Sequence, residues 1–110
     1  MSNIGISHPS VLDLITQSDK EIRLILIEDR ALSNEDAPLL QEKLNNYVGY
    51  ALDGELLKNY PESQDKQVVL RVEFNAQPAQ LIKEFMRKYR EAIAQYEVQV
   101  ELVIQGSPVL

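Results

Sequence analysis

The chain has 110 residues, a formal net charge of −6 and no cysteine. One domain of that length buries a core without disulfides or metal, and the absence of thiols excludes disulfides, thiol catalysis and thiolate metal sites. Residues 1–60 hold five Lys/Arg against ten Asp/Glu, so the surface repels phosphate backbones and nucleic acid is not an expected partner.

Residues 1–10 read as a flexible lead-in, because Gly5 and the His8-Pro9-Ser10 turn oppose regular structure. The aliphatic runs Val11–Thr16 and Glu21–Glu28 read as strands joined by the polar turn Gln17-Ser18-Asp19-Lys20, which makes them an antiparallel hairpin. A polar loop then leads to the longest helical pattern, Asp36–Tyr60. Asp36 is the chosen N-cap, since Pro38 then falls in the first turn where its missing N–H costs nothing. Leu40, Leu44, Tyr47, Val48, Ala51 and Leu52 recur at the spacing of a core-facing stripe. A bend is expected at Asp53-Gly54 and a stop at Pro61.

Gln67–Phe74 reads as the third strand, with Val68, Leu70, Val72 and Phe74 on one side. Asn75 and Pro78 open a second helix whose apolar stripe runs from Leu81 to Tyr96. Glu97–Gln105 is the fourth strand, and Gly106 and Pro108 begin a flexible tail. The order ββαβαβ predicts an α/β fold, an α+β-like two-layer sandwich: a four-stranded mixed sheet, simplest in order 1-2-3-4, with both long helices on one face by right-handed crossovers. A single domain spans residues 1–110, with its ordered core at about 11–105. Ile25, Ile27, Val69 and Val103 fall on the other face. An apolar patch there calls for cover by a tail or a second subunit, so a homodimer through that face or a sheet edge is expected.

No run of 18 apolar residues and no secretory pattern occurs, so no membrane span is expected and the cytoplasm is the expected location. His8 is the sole histidine and lies beside Pro9 in the lead-in, a poor setting for catalysis or metal binding. No phosphate-binding loop, zinc motif or nucleophile elbow occurs, so no catalytic residue, cofactor or metal is assigned. Lys83, Arg87, Lys88 and Arg90 alternate with Glu84 and Glu91 and read as a solvated helix face.

The candidate surface is the polar side of the long helix: Gln41, Glu42, Asn45, Asn46, Gly49 and Asp53, continuing to Glu55. Adjacent asparagines are weak formers of an exposed helix, and a mid-helix glycine costs about 1 kcal/mol relative to alanine. Such a face either admits a partner closely or is structural, with the asparagines bonded to nearby loops and Gly49 making room for Tyr50 or Phe85. Asp53 and Glu55, with Asp29 and Glu42, raise a metal or paired-carboxylate site, although acids at a helix bend are commonly caps. The expected function is a non-enzymatic protein–protein interaction domain whose partner suits an acidic surface and is itself basic. The alternative is a small-molecule or metal-binding module, with enzymatic activity in scope, built on Asn45–Glu55.

The run LLQEKLNNYVGYALDGELLKNYPE, preceded by VLDLI and IEDR segments, resembles a family of small bacterial proteins known only as a domain of unknown function. The likeness covers about residues 11–104 and emphasises Gln41, Glu42, Lys43, Asn45, Asn46, Tyr47, Asp53, Gly54 and Glu55. It implies no activity. Relatives carry an aromatic-containing stretch after IEDR, where this chain has Ala31-Leu32-Ser33.

Overall fold

The computed structural model describes residues 5–7 and 12–110. The expected turn at His8-Pro9-Ser10 and the start of the first strand at Val11 lie outside the described residues. Strand β1 (Leu14–Gln17) pairs antiparallel with β2 (Glu21–Glu28). Helix α1 (Ala37–Leu52) and the short α2 (Glu55–Asn59) lead to β3 (Gln67–Phe74), which pairs parallel with β2. Helix α3 (Gln80–Ile93) then leads to β4 (Val98–Ile104), parallel to β3.

Among the described residues the sheet has five strands, in the order β1-β2-β3-β4-β5. Its fifth strand, β5 (Ser107–Pro108), turns back antiparallel on β4. The expected tail is therefore part of the sheet. Gln105 and Gly106 both hold positive φ, of 51° and 81°, and that left-handed pair makes the tight reversal.

Alternation along the strands separates the two faces. Ile22, Leu24 and Leu26 of β2, Leu70, Val72 and Phe74 of β3, and Val98, Val100, Leu102 and Ile104 of β4 enter one core. Leu40, Leu44 and Tyr47 of α1 and Ile82, Met86 and Ile93 of α3 enter the same core, so both long helices lie on one face of the sheet. Leu52, expected in the stripe, is 46% exposed because α1 ends there. The loop after β2 contributes Leu32, which is buried in the core and whose carbonyl accepts from Ala79 N–H at 2.8 Å. Leu32 thus fills space within the stretch where relatives are expected to carry an aromatic residue.

The opposite face is mostly sealed by the chain's own side chains. Arg23 reaches across β3 to Glu101 with two hydrogen bonds of 3.2 and 3.4 Å. Arg71 bridges Glu73 at 2.7 Å and Glu101 at 3.5 Å. This ionic lattice lies over Val69, which is fully buried, and the Glu101 hydrogen bond holds the Arg23 guanidinium more basic than usual. Val103 is covered in part by its neighbour Pro108 in β5.

At the start of α1, Asp36 flanks the helix as expected, with Pro38 in the first turn. Its carboxylate turns back to accept from the Ser33 N–H at 2.8 Å rather than capping α1. That backbone hydrogen bond, aided by Arg30 at 3.5 Å, holds the Asp36 carboxyl below its ordinary range.

Candidate functional site

Five of the seven candidate residues line one hollow. Asn45, Asn46, Gly49, Asp53 and Glu55, with Tyr50, surround a shallow depression of about 410 Å³ that is open to solvent. Gln41 and Glu42 are exposed one to two turns away and do not line it. The hollow exists because α1 ends at Asp53, whose N–H closes on Gly49 O at 2.8 Å. Gly54 then takes φ 92°, a left-handed conformation natural to glycine, and redirects the chain into α2.

Neighbouring elements fix the walls. Asn45 Oδ1 accepts from the Tyr89 hydroxyl of α3 at 2.8 Å, and Tyr50 Oη accepts from Asn59 Nδ2 of α2 at 3.0 Å. Burial pushes the Tyr89 phenol up to about 12. No side chain from another element packs against Gly49. Beyond its chain neighbours and its own helix backbone, a Cβ placed there would meet Asp53 Oδ2 at 3.6 Å, an ordinary contact. Phe85, one of the two residues expected to fill the space at this glycine, does not approach it, while Tyr50 lines the hollow beside it.

The four-acid constellation does not assemble around the hollow. Asp53 and Glu55 line it, whereas Asp29 accepts from Asn75 Nδ2 where the loops leave β2 and β3. Among the described residues no group of three or more His, Cys, Asp or Glu is placed to hold a metal ion. The hollow offers amides, two carboxylates and a phenol, which suits hydrogen bonding and ion pairing with a surface pressed against it.

Beneath α1 lies a polar cluster outside the seven candidates. Lys43 and Asp13 are fully buried and meet at 2.6 Å. Lys43 Nζ also donates to Gly5 O at 2.6 Å and stands 5.9 Å from the centre of the Tyr47 ring. Asp13 Oδ2 accepts from Ile27 N–H at 2.8 Å and Gly5 N–H at 3.2 Å. Tyr47 Oη accepts from Asp13 N–H at 2.8 Å and donates to Ile25 O at 3.1 Å. Burial raises the Tyr47 phenol far above its usual value, so it stays protonated and able to donate. Glu28, 4% exposed, accepts from Ile6 N–H at 2.9 Å and Arg30 N–H at 3.0 Å.

This cluster anchors residues 5–7, with Ile6 fully buried, so that part of the expected lead-in belongs to the core. Gly5 is required twice over: its φ is 95°, and a Cβ there would stand 2.9 Å from Glu28 Oε1. A signal was present in the sequence. Lys43 sits between Leu40, Leu44 and Tyr47 on the apolar stripe, and Glu28 continues the inward alternation of Ile22, Leu24 and Leu26. Charges at inward positions mark partners to be sought.

A family model described as a family of unknown function (DUF6572) matches residues 4–106, so the chain belongs to that family. No curated protein and no solved structure matches the chain.

Proposed function

We propose that this member of the DUF6572 family is a non-enzymatic protein–protein interaction domain that works in the cytoplasm and docks a basic partner on the polar face of α1. One observation carries the reading: the Asn45–Glu55 depression is open and shallow, and a glycine lines it where a side chain would otherwise project. A small-molecule site is typically concave and encloses most of its ligand; a broad polar depression with fixed walls suits a protein surface. Asp53 and Glu55 supply negative charge, and the chain's overall −6 steers a basic partner toward them.

The test is affinity capture from a lysate of the source organism, with Asn46→Arg as a matched bait whose fold is verified by circular dichroism. A stoichiometric partner held by the native chain and lost with Asn46→Arg is the expected result. A partner held equally by both baits would remove α1 from the interface. Thermal stabilisation by a metal ion or metabolite, with no partner in either capture, would replace this reading with the ligand-binding module.

Self-association is a separate proposal with narrower support. Val69, Ile25 and Val103 are buried within one chain, while Leu14 on the edge strand β1 is 46% exposed. Light scattering showing a single monomer mass across the micromolar range would overturn it.

A further inference from the structure

The edge of β4 is half occupied. Leu102 exchanges hydrogen bonds with the chain's own tail: its carbonyl accepts from Val109 N–H at 2.8 Å, and its N–H reaches Leu110 O at 3.4 Å. Ile104 pairs with Ser107 in the antiparallel sense. On the β3 side, Gln105 N–H donates to Phe74 O at 2.8 Å. Backbone groups of a parallel strand alternate between its two neighbours, so Val98 and Val100 turn their N–H and C=O to the edge with Leu102 and Ile104. Among the described residues no strand pairs with β4 at Val98 or Val100 on that side. A groove of about 840 Å³ runs along this stretch, with Leu110 at one end.

The groove has two unlike walls. Val98 and Val100 belong to the core, so on their side of the sheet lies α3, which contributes Ala94 and Arg90. The other wall continues the ionic face. Gln99 and Glu101 line the groove there, with Glu97 at the entry to the strand. Gln67 Nε2 donates to the Glu97 carbonyl at 2.6 Å and holds that entry in place. This wall is negative. Glu101 shares Arg23 with Glu21 and Arg71 with Glu73, so three carboxylates face two guanidinium groups and one negative charge is left over. Glu97 forms no ion pair among the described residues.

We propose that this groove binds an extended segment of a partner protein whose residues alternate apolar and basic, added to the sheet antiparallel to β4 in line with β5. The tail shows the docking mode on the other half of the same edge. Main-chain bonds to Val98 and Val100 supply the ladder, and alternate side chains supply the selectivity. Residues opposite Val98 and Val100 turn toward α3 and Ala94, where apolar side chains fit. The residue between them lies opposite Gln99, on the negative wall. Its diagonal neighbours are Glu97 and Glu101, about 7–8 Å away and within reach of a lysine or arginine. Arg90 stands across the incoming backbone, on the α3 wall. A second copy of the chain is the poorer occupant. The two-fold pairing that satisfies both open residues sets Val98 against Val100. It brings Glu97 of each copy up to Glu101 of the other, and like charges opposite one another destabilise a sheet. The net charge of −6 opposes self-pairing further and steers a basic segment in. This groove is distinct from the α1 hollow, so its test leaves that reading untouched.

The probe is the end-blocked tetrapeptide Val-Lys-Val-Lys, titrated into isotope-labelled protein at low salt and followed by NMR, with Val-Glu-Val-Glu as control. The basic peptide alone is expected to give saturable shifts and to slow amide exchange at Val98 and Val100. Methylating the backbone nitrogens of its valines is expected to abolish binding, because charge is kept while the ladder is lost. Gln99→Lys, at an exposed position, is expected to weaken binding at least roughly tenfold with the circular dichroism spectrum unchanged. No saturation up to roughly 5 mM, equal binding of the acidic peptide, or unchanged exchange at Val98 and Val100 would each overturn the proposal. Binding that survives N-methylation, or unaltered affinity in Gln99→Lys, would do the same. A doubled mass in light scattering, with these two amides protected before any peptide is added, would make the occupant a second copy and overturn it as well.

Discussion

Lys43 and Asp13 show how much one buried pair can govern. Both are fully buried, and Tyr47 and the Gly5 backbone satisfy the groups around them. Removing one member strands a charge away from water, which costs about 3–5 kcal/mol. Lys43→Met is expected to lose stability on that scale in urea unfolding, although its volume is conserved. Asp13→Leu with Lys43→Met should lose less than the two single changes summed, because neither charge is left alone. A second residue-scale expectation concerns Tyr89. Its folded pKa, about 12, lies above the ordinary value of 10.0 because of burial. Keeping the neutral phenol therefore stabilises the fold below about pH 10, and that contribution is lost as pH rises through about 12. Phenolate absorbance should show a late component that Tyr89→Phe removes, and the hydrogen bond to Asn45 should disappear with it.

At the scale of elements, α1 and its ending are set by local chemistry with one deliberate break. Gly54 at φ 92° turns the chain, so Gly54→Ala should destabilise by about 1 kcal/mol in thermal unfolding. Gly49 predicts the reverse. Its φ is unexceptional and a Cβ fits, so Gly49→Ala should gain up to about 1 kcal/mol. The same change should weaken capture of a partner; unchanged capture would show that the hollow is not used. The elements themselves were legible. β2 and β3 occupy the residues expected, because their runs are β-branched and aliphatic and are bounded by polar turns. The break at Asp53-Gly54 followed from glycine and acid chemistry. Strand β5 was hidden because two residues bearing a proline carry no period, and only the reversal at Gln105-Gly106 creates it. Lys43 on the apolar stripe signalled a buried charge, but its partners were hidden because they lie 30 and 38 residues away, and spacing along a chain does not register contact across it. Of the candidate face, helical period brings Asn45, Asn46, Gly49 and Asp53 to one hollow and the turn at Gly54 adds Glu55, while Gln41 and Glu42 lie past its end.

For the whole molecule, two layers share the work unequally. The helical layer and one face of the sheet form a continuous apolar core, while the other face relies on the lattice centred on Arg23, Arg71 and Glu101. Those side chains are about one quarter to one third exposed, with values of 26%, 33% and 31%, so salt screens them. Arg23→Ala should therefore act mainly by uncovering Val69, with a modest loss in melting temperature that molar salt does not restore. The tail carries a different consequence. Val98–Ile104 is an aliphatic segment of high β-propensity that contains one acid and no proline, the composition from which cross-β fibrils assemble. Residues 107–110 sit along half of its free margin and present Pro108, which cannot extend a ladder. A chain cut after Gly106 keeps every fully buried core residue and loses only Leu110 from the core's margin, so it should still fold, yet bind thioflavin T on prolonged incubation where the full chain stays clear. That outcome would give those last few residues the part of a chaperone in cis, keeping many copies of one fold from becoming a single polymer.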